Sequence, residues 1–282
     1  MLWLGAHMSI AGGLDKAIDH ALAVESDAVQ IFTKNQRQWN AKPISDEEAQ
    51  KFRTRFAESG LKSVVAHNSY LINMASPKDD LWEKSIAGMR DELERCEQVG
   101  VPYLVAHPGS HVGSGRETGL DRIVEALDRL HVDLPGLTAR TLLETTAGQG
   151  TNLGSSFEDL AYSLERVAKP ERLGVCFDTC HVFVAGYDIR MPETYAETMA
   201  QFDDVIGLKQ IEAFHFNDTK GELGCRKDRH DLIGNGMIGA EGFRNFMRDE
   251  RFAGKPALLE TDKGDDLAED RAALKLLRSL VA

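Results

Sequence analysis

Nowhere does this 282-residue chain approach the ~18 consecutive apolar residues of a membrane-spanning helix. Its first residues, MLWLGAHMSIAGG, lack a basic flank and a sustained apolar stretch, so no signal peptide is expected. Cysteine is scarce. Cys96, Cys176, Cys180 and Cys225 are scattered and suggest no disulfide framework, which makes a reducing cytoplasm the expected compartment. Cys176 and Cys180, the one neighbouring pair, are expected as small buried hydrophobes. Proline and glycine gather into no linker, and there is no low-complexity segment or long block of one charge, so residues 1–282 are expected to form one domain. Positive charge is also short: 33 Lys and Arg against 45 Asp and Glu leave a formal charge of −12. That deficit argues against a broad phosphate-binding surface. It leaves room for local phosphate contact led by bound metal, whose charge this count omits.

What the chain does contain is a repeated strand-then-helix rhythm. The strand candidates LWLGAH, AVQIFT, SVVAHN, PYLVAH, RTLLET, LGVCFD, EAFHFN and PALLET end near residues 7, 33, 67, 107, 144, 178, 215 and 260. Between them lie amphipathic stretches such as SDEEAQKFRTRFAESG, DELERCEQVG, GLDRIVEALDRL and EDRAALKLLRSLVA. Strands alternating with helices predict a parallel sheet, and eight units is the number that closes a (β/α)8 TIM barrel, an α/β fold. In such barrels the functional residues stand at the C-terminal ends of the strands.

Those ends carry the metal-competent side chains: His67, His107, Glu144, Asp178, His181, His215 and Glu260, with Asp228 and His230 in the loop KDRHD. Alternate residues of a strand share a face, so Val65 and His67 should both point into the barrel. A single buried imidazole or carboxylate is commonly a satisfied core group. Four converging carboxylates are not, because each buried charge costs several kcal/mol unless a cation balances it. Asp228 and His230, two apart, face one side of an extended loop while Arg229 faces away. Asp178 and His181, three apart, straddle a strand-to-helix turn. Nitrogen and oxygen donors without a thiolate set suit hydrolytic zinc, with manganese the alternative. Glu144 can bridge two ions, and paired ions suit phosphoryl displacement. Of the other histidines, His20 and His131 are expected to be solvated and His7 to lie behind the ligands. His111 is expected either to touch phosphate or to line its loop.

The strings GAHMSIAGGL, FTKNQRQW, HPGSH, LETTAGQGTNLG, DTCHVFVAGYD, HFNDTK and DRHDLIGNGMIG, in this order, resemble endonuclease IV. This is the zinc-dependent apurinic/apyrimidinic endonuclease family of base excision repair, within the xylose isomerase-like TIM barrels. The resemblance covers nearly the whole chain. It implies three Zn2+ per chain: one on His67, His107 and Glu144; a second on Glu144, Asp178, His215 and Glu260; a third on His181, Asp228 and His230. It further implies Glu144 as catalytic base and hydrolysis of duplex DNA 5′ to abasic sites, leaving a 3′-hydroxyl and a 5′-deoxyribose phosphate. Trimming of blocked 3′ ends is implied as well. Arg37, Tyr70 and Leu71 match residues that enter the base stack at the lesion, while Lys34, Arg226, Lys227 and Arg229 could meet phosphates. A monomer is expected. Asn68, Cys225 and Asn235 depart from the family pattern, which puts loop detail and lesion preference in doubt rather than the chemistry.

Two other readings compete. A sugar isomerase or epimerase on the same barrel would need only Glu144, Asp178, His215 and Glu260, leaving the remaining ligands without purpose. A non-catalytic sensor of DNA damage would need the Arg37 and Tyr70–Leu71 loops but no intact ligand set.

Overall fold

The computed structural model describes residues 1–281. Eight parallel strands close into a barrel in sequence order. They are β1 Trp3–His7, β2 Ala28–Phe32, β3 Ser63–His67, β4 Tyr103–Ala106, β5 Arg140–Glu144, β6 Leu173–Asp178, β7 Ile211–His215 and β8 Pro256–Leu259. Closure comes from β8 pairing with β1, where Ala257 stands opposite Leu4. Expected strand ends at 33, 107 and 260 each fall one residue earlier, so His107 and Glu260 stand just beyond their strands.

The two-residue side-chain period builds the barrel interior in layers. Ala28, Val65, Val105, Leu142, Cys176, Ala213 and Leu258 pack together as one buried apolar layer inside it. Two residues further along each strand come Gln30, His67, His107, Glu144, Asp178, His215 and Glu260. A greasy floor therefore carries a polar ring, and the expected inward pairing of Val65 with His67 holds. The intervening residues, such as Val64, Ala66, Leu143, Val175, Phe177 and Phe214, face outward into the larger core beneath the helices.

The helices form where caps and apolar stripes coincide. In α2 (Asp46–Ser59), Ser45 Oγ accepts from Glu48 N at 3.2 Å while Glu48 accepts from Ser45 N at 2.9 Å, and the first turn carries Asp46, Glu47 and Glu48. This reciprocal cap satisfies two orphan N–H groups, and the acidic turn complements the helix dipole. The helix buries Ala49 and Phe52 and stops at Gly60, whose φ of 78° suits glycine. A second glycine, Gly100, ends α3 (Asp79–Val99) in the same way.

Two short antiparallel ribbons rise above the barrel mouth: Gly109–Ser110 with Asn152–Leu153, and Asp218–Thr219 with His230–Asp231. The second is braced by Asp218, fully buried, whose carboxylate accepts from Gly234 N and Gly236 N, both at 3.0 Å, and from Ile238 N at 2.9 Å. A Cβ at Gly236 would lie 2.5 Å from Asp218 Oδ1, so only glycine permits this approach.

Candidate metal centre

Glu144, at the end of β5, is fully buried and sits at the hub of the polar ring. Its Oε2 lies 3.2 Å from His67 Nε2 and 3.1 Å from His107 Nε2. Its Oε1 lies 3.2 Å from His181 Nδ1 and 3.0 Å from His215 Nδ1. Two oxygens thus face two different sets of imidazoles. One set of donor atoms within 4.8 Å of one another comes from His67, His107 and Glu144; another comes from Glu144, Asp178, His215 and Glu260. Around the second ribbon, Asp228 lies 3.2 Å from both His181 Nε2 and His230 Nε2. Asp178 with His181 and His230 makes a further compact set. All nine expected ligands are therefore brought together.

Local structure explains their placement. Asp178 ends β6 and caps α6 (Thr179–Ala185), where its Oδ1 accepts from His181 N at 2.8 Å and leaves Oδ2 for the centre. His67 Nδ1–H donates to Asn68 O, and His181 Nδ1–H to Thr145 O, each at 2.8 Å, so in both rings Nε2 is the nitrogen turned inward. Asp228 and His230 share one side of their loop, and Arg229 is exposed.

The donors fit divalent cations on two grounds. His181 Nε2 and His230 Nε2 are buried and hydrogen-bond to nothing, although each has an Asp228 oxygen nearby. Buried polar atoms without partners are costly, and nitrogen and oxygen lone pairs that face each other call for a cation between them. The proton affinities say the same. Burial opposes charge throughout the site, yet the imidazoles of His107 and His215 hold the Glu144 carboxyl well below its usual range. Burial disfavours the His230 imidazolium, but Asp228 and Asp178 push it up to about 9. Carboxylates here demand positive charge, which bound ions would supply while displacing the imidazole protons.

Sequence reasoning missed three contributors. Gln30 joins His215 to Glu260, with Oε1 2.8 Å from His215 Nε2 and Nε2 2.6 Å from Glu260 Oε1. Its signal was the phase of AVQIF: Gln30 stands two residues after inward-facing Ala28. Asn217, within HFND, donates to Asp178 Oδ2 at 2.6 Å and accepts from Glu260 N at 2.9 Å. The Asn73 side-chain amide pins the Ser110 backbone, accepting from Ser110 N at 2.8 Å and donating to Ser110 O at 2.9 Å, and so ties the loop after β3 to the loop after β4. His7 lies behind the ring as expected. Burial drives its pKa down to about 3, so it is neutral.

Around the mouth, Tyr70 is 61% exposed, its ring 5.3 Å from that of His67 and 6.0 Å from that of His107. Leu71 is half-buried beside it and Arg37 is exposed. Ser69 Oγ donates to Gln36 O at 2.7 Å, which ties the two loops into one rim. Next to this rim a pocket of about 230 Å³ opens between Ser69, Tyr70, Asn73, His107 and Ser110. Arg226, Lys227 and Arg229 are exposed near Asp228.

Two expectations fail. Lys34 is buried against Asp91 (2.6 Å) and Glu92 (3.6 Å), so it braces the rim from below and is not available to a phosphate. His131 is buried in the last turn of α4 (Arg116–Asp133), not solvated: its side lies on the apolar stripe with Leu127 and Leu130. His111 serves its own loop, its Nδ1 accepting from Gly113 N and Gly115 N. Cys176 and Cys180 are buried as expected, with thiol pKa values driven up to about 12 by burial, although Cys180 approaches Asp228 and His230. Among the described residues no helix is long and apolar enough to cross a membrane.

Fold and site together define a TIM barrel with a multi-ligand, metal-competent centre at its C-terminal mouth. Residues 18–280 match the family Xylose isomerase-like TIM barrel. The chain is 55% identical over 277 residues to a Chloroflexus aurantiacus protein named "Probable endonuclease 4", covering 98% of this chain and 97% of that one. The crystal structure of endonuclease IV from Thermus thermophilus superposes with a TM-score of 0.87 at 36% identity, covering 99% of this chain and 98% of that one. This chain belongs to the endonuclease IV family. A D-tagatose 3-epimerase-like structure, at TM-score 0.76 and 19% identity over 99% of this chain and 98% of that one, shares the fold alone.

Proposed function

We propose that this protein is a DNA repair hydrolase that cleaves the duplex backbone 5′ to abasic sites and trims blocked 3′ ends, acting as a monomer in the cytoplasm. His67, His107 and Glu144 would hold one divalent ion. Glu144, Asp178, His215 and Glu260 would hold a second, and His181, Asp228 and His230 a third. Imidazole and carboxylate donors favour zinc, with manganese the alternative. Bound there, such ions supply Lewis acidity to phosphate oxygens and to water.

The chain's own groups account for the rest. Glu144, held ionised by its imidazoles, takes a proton from the attacking water. The water oxygen bonds to phosphorus as the bond from phosphorus to the 3′ oxygen breaks. The proton passes to that oxygen, giving a 3′-hydroxyl and a 5′-deoxyribose phosphate. Tyr70, Leu71 and Arg37 stand on the connected rim above the ring, where they would fill the space left by an extruded abasic nucleotide, the kind most easily unstacked. Backbone phosphates would meet Arg226, Lys227 and Arg229, so a net-acidic chain would approach DNA through its mouth alone.

The observation that carries this reading is the convergence of all nine donors, including the five an isomerase has no use for: His67, His107, His181, Asp228 and His230. It is tested by incision of a duplex containing a reduced abasic analogue, which cannot undergo β-elimination. The expected product is a single nick with a 3′-hydroxyl, absent with Glu144→Gln. An intact duplex with the wild-type protein, or full activity in that variant, would refute it.

A further inference from the structure

On the inward face of β2, Gln30 is fully buried one layer above Ala28. An amide in such a place costs a few kcal/mol unless its polar atoms are all met, while methionine or leucine would fill the space without that cost. Here every hydrogen-bonding function is engaged. Oε1 accepts from His215 Nε2 at 2.8 Å, and Nε2 donates to Glu260 Oε1 at 2.6 Å and to His7 Nδ1 at 3.0 Å. Only one amide orientation satisfies this set. Turned over, the amide would set its oxygen against the Glu260 carboxylate and its NH2 against the N–H of His215.

That orientation has a consequence for His215. With Nε2–H committed to Gln30, Nδ1 is the ring nitrogen turned inward and the one that would offer its lone pair to a bound ion. There Glu144 Oε1 stands at 3.0 Å and Glu260 Oε2 at 3.1 Å. The same amide holds the other oxygen of Glu260, so one side chain aims two of the four donors of the second set.

We propose that Gln30 is a positioning residue that fixes the tautomer of His215 and the rotation of Glu260, and so sets the affinity of the ion shared by Glu144, Asp178, His215 and Glu260. This rests on the metal-centre reading of the site. It assigns β2, which contributes no ligand, a defined part in building the centre.

The test is zinc titration of metal-free protein against a chelating indicator, with circular dichroism and thermal melting to report folding. Gln30→Met should fold like the wild type but bind one zinc equivalent ~10–100-fold more weakly, the usual effect of losing a group that orients a ligand. In the zinc-loaded wild type, the His215 ring should show a slowly exchanging Nε2–H by nitrogen-15 NMR, and the variant should lose that protection. Wild-type affinity at every equivalent together with an unchanged His215 signal would overturn the proposal. Should Gln30→Met fail to fold, Gln30→Glu carries the test. It keeps the acceptor for His215 but sets a carboxylate against Glu260, so the protected signal should remain while the same equivalent weakens. Undiminished affinity there would overturn it. A wild-type chain that takes up no divalent ion would instead bring down the metal-centre reading, and this inference with it.

Discussion

Asn217 Nδ2 donates to Asp178 Oδ2 at 2.6 Å, from a side chain wholly withdrawn from solvent just beyond β7. The same amide reaches Glu260 Oε2 at 3.3 Å, and its oxygen receives Glu260 N. A neutral side chain thus fixes two carboxylates that would otherwise repel each other.

Removing that amide should loosen the centre without unfolding the barrel. Asn217→Ala is expected to weaken zinc binding by about 10–100-fold, by the rule that groups orienting metal ligands contribute on that scale. Competition titration checks this, with circular dichroism confirming the fold. Affinity equal to that of the wild type would show that Asp178 and Glu260 need no such brace.

The rim should act on lesion choice more than on bond breaking. Tyr70 is exposed and Arg37 reaches solvent, and neither hydrogen-bonds through its side chain to the ring. Arg37→Ala and Tyr70→Ala are therefore expected to raise KM for an abasic duplex by roughly 10-fold while kcat moves little, the pattern of lost binding energy rather than lost chemistry. Steady-state kinetics on abasic and undamaged duplexes decide it. A fall in kcat at unchanged KM would place these residues in the chemical step instead.

Acid should weaken the fold through His131, far from the centre. Burial, aided by Arg172, lowers its pKa from 6.5 to about 4, and its Nδ1 has no hydrogen-bond partner. The folded protein holds this ring neutral, whereas the unfolded chain takes up a proton as pH drops below 6.5. Stability is therefore lost as pH falls from 6.5 towards 4 and levels off below that. The full shift corresponds to ~3 kcal/mol on the scale of 1.36 kcal/mol per pKa unit. Denaturant unfolding of wild type and His131→Leu between pH 7 and 4.5 isolates the effect. The wild type should lose more stability than the variant, and parallel pH profiles would contradict the assignment.

Much of this was legible in the sequence for physical reasons. Strands such as SVVAH and RTLLE announce themselves because an apolar run ending in one ionisable residue is hard to reconcile with a plain core. Caps such as Ser45 with Glu48 mark helix starts directly. What escaped detection was polar but uncharged, or depended on partners far along the chain. Gln30 meets residues 185 and 230 positions away, and no local pattern encodes that. Lys34 looked like a surface cation because its partners, Asp91 and Glu92, lie on α3. His131 looked solvated because a histidine in a helical or loop stretch commonly is, whereas its side of α4 faces the core.

The central claim is that these carboxylates and imidazoles are gathered to wrap divalent cations. Elemental analysis of purified protein, reconstituted with zinc and freed of loosely held ions, measures this most directly. Three equivalents per chain are expected, with one lost in a variant lacking both Asp228 and His230; fewer than two equivalents in the wild type would contradict the account.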